Sequence, residues 1–350
     1  MKTIIRVDSS SIIGSGHLMR CLTLAEQLRK NQKADIHFIT RNLSGNLYPL
    51  ISDQNFHLHL LPRHREKTCL VGYLFWLTVT QQTDASETQA VLRNLGKIDL
   101  LVVDNYALDI TWEVRVRPLV DKIFVIDDLA NRRHDCDMLL DQNFYLDKEG
   151  RYDGLVPKRC RMLLGPAHAL LREEFHVVGR HRRERTGELR NLLVFYGGSD
   201  LTNETCKAIR AVLRLNLLEV QVHVVVGGSN PYKKEVEELC RIQGYLHYHE
   251  QVDNMAELMN MADLMLGAGG TTTWERCFLG LPSIVTAIAD NQVKICEDCH
   301  AAGLIRYIGF YDAVSERDIA EGLLGMDADR MRCMTERCLH IFDERNGMLE

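Results

Sequence analysis

The chain has 350 residues, of which 46% are hydrophobic and 26% are charged, and its formal net charge is −6. This length exceeds what one small core needs and predicts two domains of ordinary size. A mildly acidic chain has no basic face for nucleic acid, so we expect no nucleic-acid partner. No segment reaches the roughly 20 apolar residues of a membrane span, so we expect no membrane partner either.

The N-terminus and the cysteines together predict a cytoplasmic protein, which we expect to be a monomer. The opening residues contain no uninterrupted apolar run before the polar stretch 8–11, unlike a signal peptide. Eleven cysteines, an odd number, are typical of reduced thiols. Cys296 and Cys299, followed by His300, match the pattern for haem attachment, but both cysteines share one face of a predicted helix with Ile295. We therefore interpret the pair as structural.

Apolar strands alternate with helices along the whole chain. In the first half the strands are predicted at 3–7, 36–39, 99–104 and 122–127, with helices at 17–30, 83–95 and 110–120. The second half repeats the plan, with strands at 192–196, 222–226, 263–267 and 282–286 and helices at 203–215 and 255–262. Continuous apolar strands between helices are typical of parallel sheets covered on both faces.

We therefore predict an α/β protein with two doubly wound, Rossmann-like domains that face each other across a cleft. The expected domains are 1–160 and 161–350, with the last helix able to pack back on the first domain. In such folds ligands bind at the carboxyl ends of the strands.

A glycine turn, Gly14-Ser15-Gly16-His17, lies between the first strand and its helix. Glycines let the backbone approach a ligand, and the helix N-terminus adds a partial positive charge that favours a neutral imidazole able to accept a proton. This predicts His17 as a general base and Gly16 as a ligand contact. The alternative is a histidine that only caps its helix.

Polar residues follow the other strands of the first half. Arg20 lies one helical turn after His17 and either contacts a substrate or pairs with a carboxylate such as Asp8. Tyr106, in the sequence Asp104-Asn105-Tyr106, is predicted to point into the same crevice. For the pair 127–128, which follows another strand, we favour structural hydrogen bonding.

Turns in the second half are suited to a diphosphate. Gly198 and Ser199 lie in one turn, and Gly270, Thr271 and Thr272 open the helix of another. Glu275, one turn further, can accept both hydroxyls of a ribose, although Thr272 and Glu275 also fit a capping box. Asn291 and Gln292 have amides suited to sugar hydroxyls and N-acetyl groups, although Asp290 and Asn291 also fit an ordinary Asx turn with a helix cap.

Read together, these motifs resemble those of a family of sugar-nucleotide hydrolases, the UDP-2,4-diacetamido-2,4,6-trideoxy-β-L-altropyranose hydrolases of pseudaminic acid biosynthesis. The shared blocks cover nearly the whole chain and include R-x-D-S-S-x-x-I-G-S-G-H, V-V-D-N-Y, I-D-D-L-A, L-L-G-P-A-H-A-L-L-R-E-E-F, Y-G-G-S-D, G-G-T-T-T-W-E and D-N-Q. The second half is more distantly similar to the glycosyltransferase that forms lipid II from UDP-GlcNAc. One departure is His168, where the family pattern has tyrosine.

The resemblance implies a glycosyltransferase-B fold and an inverting hydrolysis without metal or cofactor, in which His17 activates water for attack at the anomeric carbon. The substrate it implies is a UDP-linked diacetamido-trideoxy sugar. By the same resemblance, Gly198, Ser199 and the turn 270–272 hold the diphosphate and Glu275 holds the ribose. The backbone of Val252 to Met255 holds the uracil, and Arg20, Tyr106, Asn291 and Gln292 lie near the sugar.

Two other functions fit the same motifs. A glycosyltransferase of this fold would use His17 to deprotonate an acceptor hydroxyl, and the run 72–77 is a candidate apolar patch for its acceptor. A non-catalytic module that binds a nucleotide sugar is the second alternative.

Overall fold

The structure is a computed structural model that describes residues 1–64 and 72–342. These residues form two compact units, one of residues 1–143 and 147–170, the other of residues 144–146 and 171 onward. Within the described residues, no helix is both long enough and apolar enough to cross a membrane.

The first unit is built on a sheet of parallel strands. The strands are β1 (Lys2–Val7), β2 (Asp35–Arg41), β3 (His57–Leu61), β4 (Leu100–Asp104), β5 (Lys122–Ile126), β6 (Met138–Asp141) and β7 (Arg161–Leu164). Their order across the sheet is β3-β2-β1-β4-β5-β6-β7. The α-helices are α1 (Gly16–Gln32), α2 (Pro49–Asp53), α3 (Gln81–Leu95) and α4 (Ile110–Val116), and a 3-10 helix spans Gly72–Leu77.

The second unit repeats this plan with another parallel sheet. The strands are β8 (Asn191–Phe195), β9 (Gln221–Val226), β10 (Leu246–Glu250), β11 (Leu264–Ala268), β12 (Ser283–Ala287) and β13 (Arg306–Phe310). Their order is β10-β9-β8-β11-β12-β13. The helices are α5 (Glu173–Gly179), α6 (Glu204–Leu215), α7 (Lys233–Cys240), α8 (Met255–Met261), α9 (Thr272–Phe278), α10 (Asp290–Ala301), α11 (Glu316–Leu324) and α12 (Ala328–His340).

Two doubly wound parallel sheets confirm the predicted fold class, and four of the five strands that the sequence did not predict lie at sheet edges. β3, β7, β10 and β13 are the edge strands of the two sheets, and β6 has only four residues. An edge strand is exposed along one side, so it lacks the continuous apolar run by which a central parallel strand is recognised. β7, which the sequence interpretation assigned to the second domain, pairs with β6 in the first sheet.

The last described helix, α12, packs on α9 within the second unit. The thiol sulfur of Cys338 on α12 lies 3.3 Å from that of Cys277 on α9. Met334 on α12 is also buried, and its sulfur accepts a hydrogen bond from the backbone N–H of Ser283 at the start of β12.

A buried ion network joins β1, β2 and α3 of the first unit. The Asp84 carboxylate accepts hydrogen bonds from Arg6 Nη2 at 2.8 Å and from Arg41 Nη2 at 2.6 Å, and all three side chains have zero exposure. Trp112 Nε1 donates a further bond of 2.9 Å to the same carboxylate. Burial alone would raise the pKa of Asp84, but the two guanidinium groups outweigh it and lower that pKa.

Replacing the central carboxylate, Asp84→Ala, is expected to lower the free energy of unfolding by about 3–5 kcal/mol, because two buried guanidinium groups lose the carboxylate they share, Arg6 keeping Asp8 and Arg41 keeping Glu87. Urea unfolding at pH 7 measures this loss. The exposed pair of Glu237 and Arg241 supplies the control, since Glu237→Ala is expected to cost less than about 1 kcal/mol. Equal losses in the two variants would contradict this account of the network.

Candidate functional site

The loop between β1 and α1 is a tight turn that delivers His17 to the end of the sheet. Gly14 N donates to Ser10 O at 2.9 Å, and Gly14 has a φ of +79°, in the region that favours glycine. Helix α1 begins at Gly16, and the preceding Ser15 makes no side-chain cap hydrogen bond.

His17 forms a hydrogen bond with a carboxylate instead of capping its helix. Its Nδ1 lies 2.6 Å from Asp104 Oδ1, at the carboxyl end of β4, and the His17 side chain is 10% exposed. Because the ionised carboxylate can only accept, Nδ1 carries the proton in this bond. Nε2 of the neutral ring is then the nitrogen that can accept a proton, which is the tautomer a general base requires.

Arg20 holds the same carboxylate from a second direction. Its Nε lies 2.6 Å from Asp104 Oδ2, its Nη2 lies 2.7 Å from Asp104 Oδ1, and its Nη1 lies 3.0 Å from Asp128 Oδ2. The sequence suggested Asp8 as a partner for Arg20, and this was wrong, because the Asp8 carboxylate accepts from Arg6 Nη1 at 2.6 Å. The structural pairing weighed for Arg20 is present, with two other carboxylates.

Tyr106 completes this cluster, and Trp76, which the sequence did not assign to the site, also lies against His17. The Tyr106 hydroxyl donates to Asp128 Oδ1, and its ring lies edge-on to His17 at a centroid distance of 4.6 Å. Trp76 stacks on Tyr106 at 5.2 Å and lies 5.5 Å from His17. Trp76 belongs to the apolar run 72–77, which forms the 3-10 helix and packs against the core of the first unit.

The two carboxylates of this cluster are ionised because both pair with the Arg20 guanidinium and each accepts from a further hydrogen-bond donor. Burial would raise the pKa of Asp104, but Arg20 and His17 hold it well below its usual range. Burial would likewise raise the pKa of Asp128, but the Arg20 guanidinium and the hydrogen bond from the Tyr106 hydroxyl lower it. Asp127 keeps the structural role predicted for it, since it accepts from Ala130 N at 3.1 Å and pairs with Arg132 at 2.7 Å. Asp128 instead belongs to the His17 cluster.

In the second unit, the turn after β8 brings Gly198 against the end of β9. Gly198 O accepts from Ser229 Oγ at 3.0 Å, and a Cβ at Gly227 would lie 2.2 Å from that same oxygen. Asp200 uses both carboxylate oxygens to accept from Glu204 N and Thr205 N at the start of α6. These two amides are therefore occupied, and the amides of the turn itself, at Gly198 and Ser199, are the ones suited to an anion.

Glu275 pairs with an arginine and is not part of a capping box. Helix α9 has Thr271 as its N-cap without a side-chain cap bond, so the capping interpretation of Thr272 and Glu275 was wrong. Glu275 Oε1 accepts from Arg172 Nε at 2.8 Å. Burial raises the pKa of Glu275, and the Arg172 guanidinium opposes that rise.

Arg172 also connects Glu275 to the start of α8. Its Nη1 lies 2.6 Å from Glu174 Oε1, and Glu174 Oε2 accepts from Ala256 N at 3.0 Å. Val252 lies in the loop just before α8, and Met255 is its first, buried residue. Sequence reasoning assigned no role to Arg172 and Glu174, and their only signal was that they lie in the L-L-R-E-E-F block of the family resemblance.

Gln292 lies beside the glycine turn of β11, whereas Asn291 is exposed in the first turn of α10. Gln292 Oε1 accepts from Ile288 N at 3.0 Å, and its Nε2 lies 3.7 Å from where a Cβ of Gly270 would be. The N-cap of α10 is Ala289 and has no side-chain cap bond, so the Asx-cap interpretation of Asp290 and Asn291 was wrong.

Cys296 and Cys299 are buried on the inner face of α10, as the structural interpretation of that pair predicted. A Cβ at Gly269 would lie 2.2 Å from the Cys296 sulfur, so this cysteine packs directly on the glycine turn. His168, the departure from the family pattern, lies in a 3-10 helix of the first unit, and burial lowers its pKa.

Residues 192–329 match the model of the glycosyltransferase family 28 C-terminal domain. The two units also resemble the solved structure of a UDP-glucosyltransferase from Polygonum tinctorium, with a TM-score of 0.66, 12% identity, and coverage of 98% of this chain and 93% of that one. The fold is that of the B-type glycosyltransferases. The family 28 match includes Gly198, Glu275 and Gln292, and His17 lies outside it.

Two curated relatives are similar over most of this chain. An uncharacterised protein of Methanocaldococcus jannaschii is 26% identical over 85% of the chain, which spans only 58% of that relative's length. The UDP-2,4-diacetamido-2,4,6-trideoxy-β-L-altropyranose hydrolase of Campylobacter jejuni is 27% identical over 76% of this chain and 84% of its own length.

Asp141, at the end of β6, makes the free energy of unfolding of the first unit depend on pH. Burial and the nearby Asp128 carboxylate raise the pKa of Asp141 to about 8, against about 3.9 in an unfolded chain. Between these values the folded state binds a proton that the unfolded state does not, so this group makes the free energy of unfolding fall as pH rises.

The variant Asp141→Asn removes this titration. We expect the stability of the variant relative to wild type to increase steadily from pH 5 to pH 8, measured by urea unfolding at each pH. Asp53→Asn, at an exposed position of α2, controls for the loss of a carboxylate. A stability difference for Asp141→Asn that does not change with pH would contradict the raised pKa.

Proposed function

We propose that this chain hydrolyses UDP-2,4-diacetamido-2,4,6-trideoxy-β-L-altropyranose to UDP and the free sugar. The observation that carries the proposal is the hydrogen bond between His17 Nδ1 and Asp104, which leaves Nε2 as the accepting nitrogen. Further support comes from the relative in Campylobacter jejuni, whose name states this activity. The glycine turn before His17 and the turns at 198–199 and 270–272 also resemble motifs of that hydrolase family.

In the proposed reaction, His17 Nε2 takes a proton from a water molecule as its oxygen attacks the anomeric carbon. The bond between that carbon and the diphosphate oxygen breaks, and UDP leaves with the bonding electrons, so the configuration inverts. The imidazolium formed on His17 is stabilised by Asp104, which Arg20 keeps ionised and in place. A general base of this kind contributes about 10²–10⁴-fold to the rate.

In the proposed reaction, the second unit binds the UDP part of the substrate. Amides at Gly198, Ser199 and 270–272 bind the diphosphate and stabilise the charge that develops on the leaving oxygen. Glu275 Oε2 accepts from the ribose while Oε1 stays with Arg172. The backbone from Val252 to Met255 binds uracil. For the sugar, the proposal assigns Asn291 and Gln292 in the second unit, and Gly16, Arg20 and Tyr106 in the first. UDP is already a good leaving group, so the reaction as proposed uses no metal or cofactor.

Replacing the base, His17→Ala, is expected to leave UDP binding unchanged and to slow UDP release from the UDP-sugar by about 10²–10⁴-fold. The matched control is His181→Ala, an exposed histidine of the second unit. Reaction in ¹⁸O-labelled water locates the attacked atom, because attack at the anomeric carbon places the label in the sugar and not in UDP. Unchanged turnover in His17→Ala, or label in UDP, would contradict the mechanism.

The ribose contact is tested by Glu275→Gln with UDP and 2′-deoxy-UDP, using calorimetry. Loss of a hydrogen bond to a charged acceptor costs about 1.5–3 kcal/mol, so UDP is expected to bind the variant roughly tenfold to a hundredfold more weakly than wild type. Because the deoxy ligand lacks one hydroxyl, the variant is expected to bind the two ligands with closer affinities than wild type does. Glu321→Gln, an exposed glutamate of α11, is the control, and equal weakening of both ligands would refute the ribose contact.

A glycosyltransferase is the second candidate, favoured by the family 28 match and by the aromatic rings of Tyr73 and Trp76 near His17. In that case His17 would deprotonate an acceptor hydroxyl. Incubation of the UDP-sugar in water alone separates the two, since a hydrolase releases UDP and free sugar at full rate whereas a transferase requires an added acceptor.

A further inference from the structure

A ladder of three histidines stands at one edge of the first sheet. His37 on β2 is the register partner of His57 on β3, and their rings stack at a centroid distance of 4.5 Å. His37 Nδ1 lies 3.0 Å from Nε2 of His59, two residues further along β3. Adjacent strands of a parallel sheet place such side chains on one face.

The second sheet carries the same ladder in the matching place. His223 on β9 is the register partner of His247 on β10, with ring centroids 4.9 Å apart, and its Nδ1 lies 3.0 Å from His249 Nε2. Because both sheets contain this arrangement, the three histidines alone do not indicate a metal site, and each ladder can be purely structural.

What distinguishes the two ladders is the residue two positions before the first histidine. In the second sheet it is Gln221, whose Oε1 lies 2.7 Å from His247 Nε2. In the first sheet it is Asp35, whose carboxylate oxygens lie 3.3 Å from His37 Nε2 and 3.7 Å from His57 Nε2. The three donor atoms of Asp35, His37 and His57 lie within 4.8 Å of one another.

His37 is the buried member of this group, with 8% exposure, and its Nε2 is buried without a hydrogen bond. In the tautomer in which Nδ1 carries the proton and donates to His59 Nε2, the Nε2 lone pair points towards the Asp35 carboxylate 3.3 Å away, as zinc binding requires. A ligating histidine in proteins usually donates its other N–H to a nearby acceptor in this way, which fixes the ring and its tautomer.

We propose that Asp35, His37 and His57 bind a zinc ion. Two imidazole nitrogens and one carboxylate oxygen form a common three-residue zinc ligand set, with water as the fourth ligand. Asp35 and His57 have side-chain exposures of 50% and 66%, so water can reach the ion. The exposed His57 ring has to tilt out of its stack to bring Nε2 within the usual 2.0–2.1 Å of zinc, and its exposure leaves room for that.

This site lies away from the His17 cluster within the first unit. Asp35 is the first residue of β2, whereas Arg41, at the other end of the strand, donates its backbone N–H to Asp8 near the turn before α1. Zinc at Asp35 therefore joins the edge strand β3 to β2 at the amino ends of the strands. Its role is to stabilise the sheet edge, and the hydrolysis proposed above does not use it.

The test compares zinc binding by the full chain, freed of metal with EDTA, in four forms. They are the wild type, Asp35→Gln, which copies the second ladder, His57→Gln, and His247→Gln as the matched control in the second sheet. Calorimetry with zinc chloride measures affinity and stoichiometry, and thermal unfolding with and without zinc gives an independent readout.

We expect wild type and His247→Gln to bind one zinc per chain and to unfold at a higher temperature with it. We expect Asp35→Gln and His57→Gln to bind about tenfold or more weakly and to lose the thermal shift, while unfolding without zinc at the wild-type temperature. No zinc binding by wild type, unchanged binding by Asp35→Gln, or equal loss in His247→Gln and His57→Gln would overturn the proposal.

Discussion

A single buried carboxylate, Asp104, sets the geometry on which the His17 cluster of the first unit depends. It lies at the end of β4 and accepts from His17 and Arg20, one turn apart on α1. A buried carboxylate without partners would take up a proton, because burial raises its pKa. Two donors from one helix keep it ionised, and the ionised carboxylate in turn fixes the His17 tautomer. The protonation state of one residue thereby determines what the other can do.

Asp104, Asn105 and Tyr106 are consecutive, and each binds a different element of the first unit. Asp104 binds α1, Asn105 Nδ2 donates to Asp8 at the end of β1 at 2.8 Å, and the Tyr106 hydroxyl donates to Asp128 after β5. β1 and β5 are the two neighbours of β4 in the sheet. This short segment therefore ties together three adjacent strand ends and one helix start. Its polar side chains are explained by these bonds, whether or not a ligand contacts them.

Sequence reasoning located the ends of β1, β4 and β5 to within one residue but could not choose among the carboxylates there. Arg20 was known to share a helix face with His17, since three-residue spacing fixes that. Its partners Asp104 and Asp128 are 84 and 108 residues away, and spacing along the chain says nothing about which strand lies next to α1. Glu275 shows the same limit, because its local spacing from Thr272 suggested a cap, whereas its actual partner, Arg172, is 103 residues away. Local periodicity predicted the elements, and the long-range ion pairs required the fold.

The two units share one architecture and differ in the polar groups at their strand ends. Both sheets carry central apolar strands, a glycine turn before a helix, and an edge ladder of three histidines. At the carboxyl ends the first unit has ionised side chains around His17, whereas the second has glycine turns and the pair of Arg172 and Glu275. Side-chain acids and bases suit proton transfer, and exposed amides beside glycines suit a diphosphate. The polar groups at the strand ends of each unit therefore match the role proposed for that unit, side chains around His17 for the proton and backbone amides for the diphosphate.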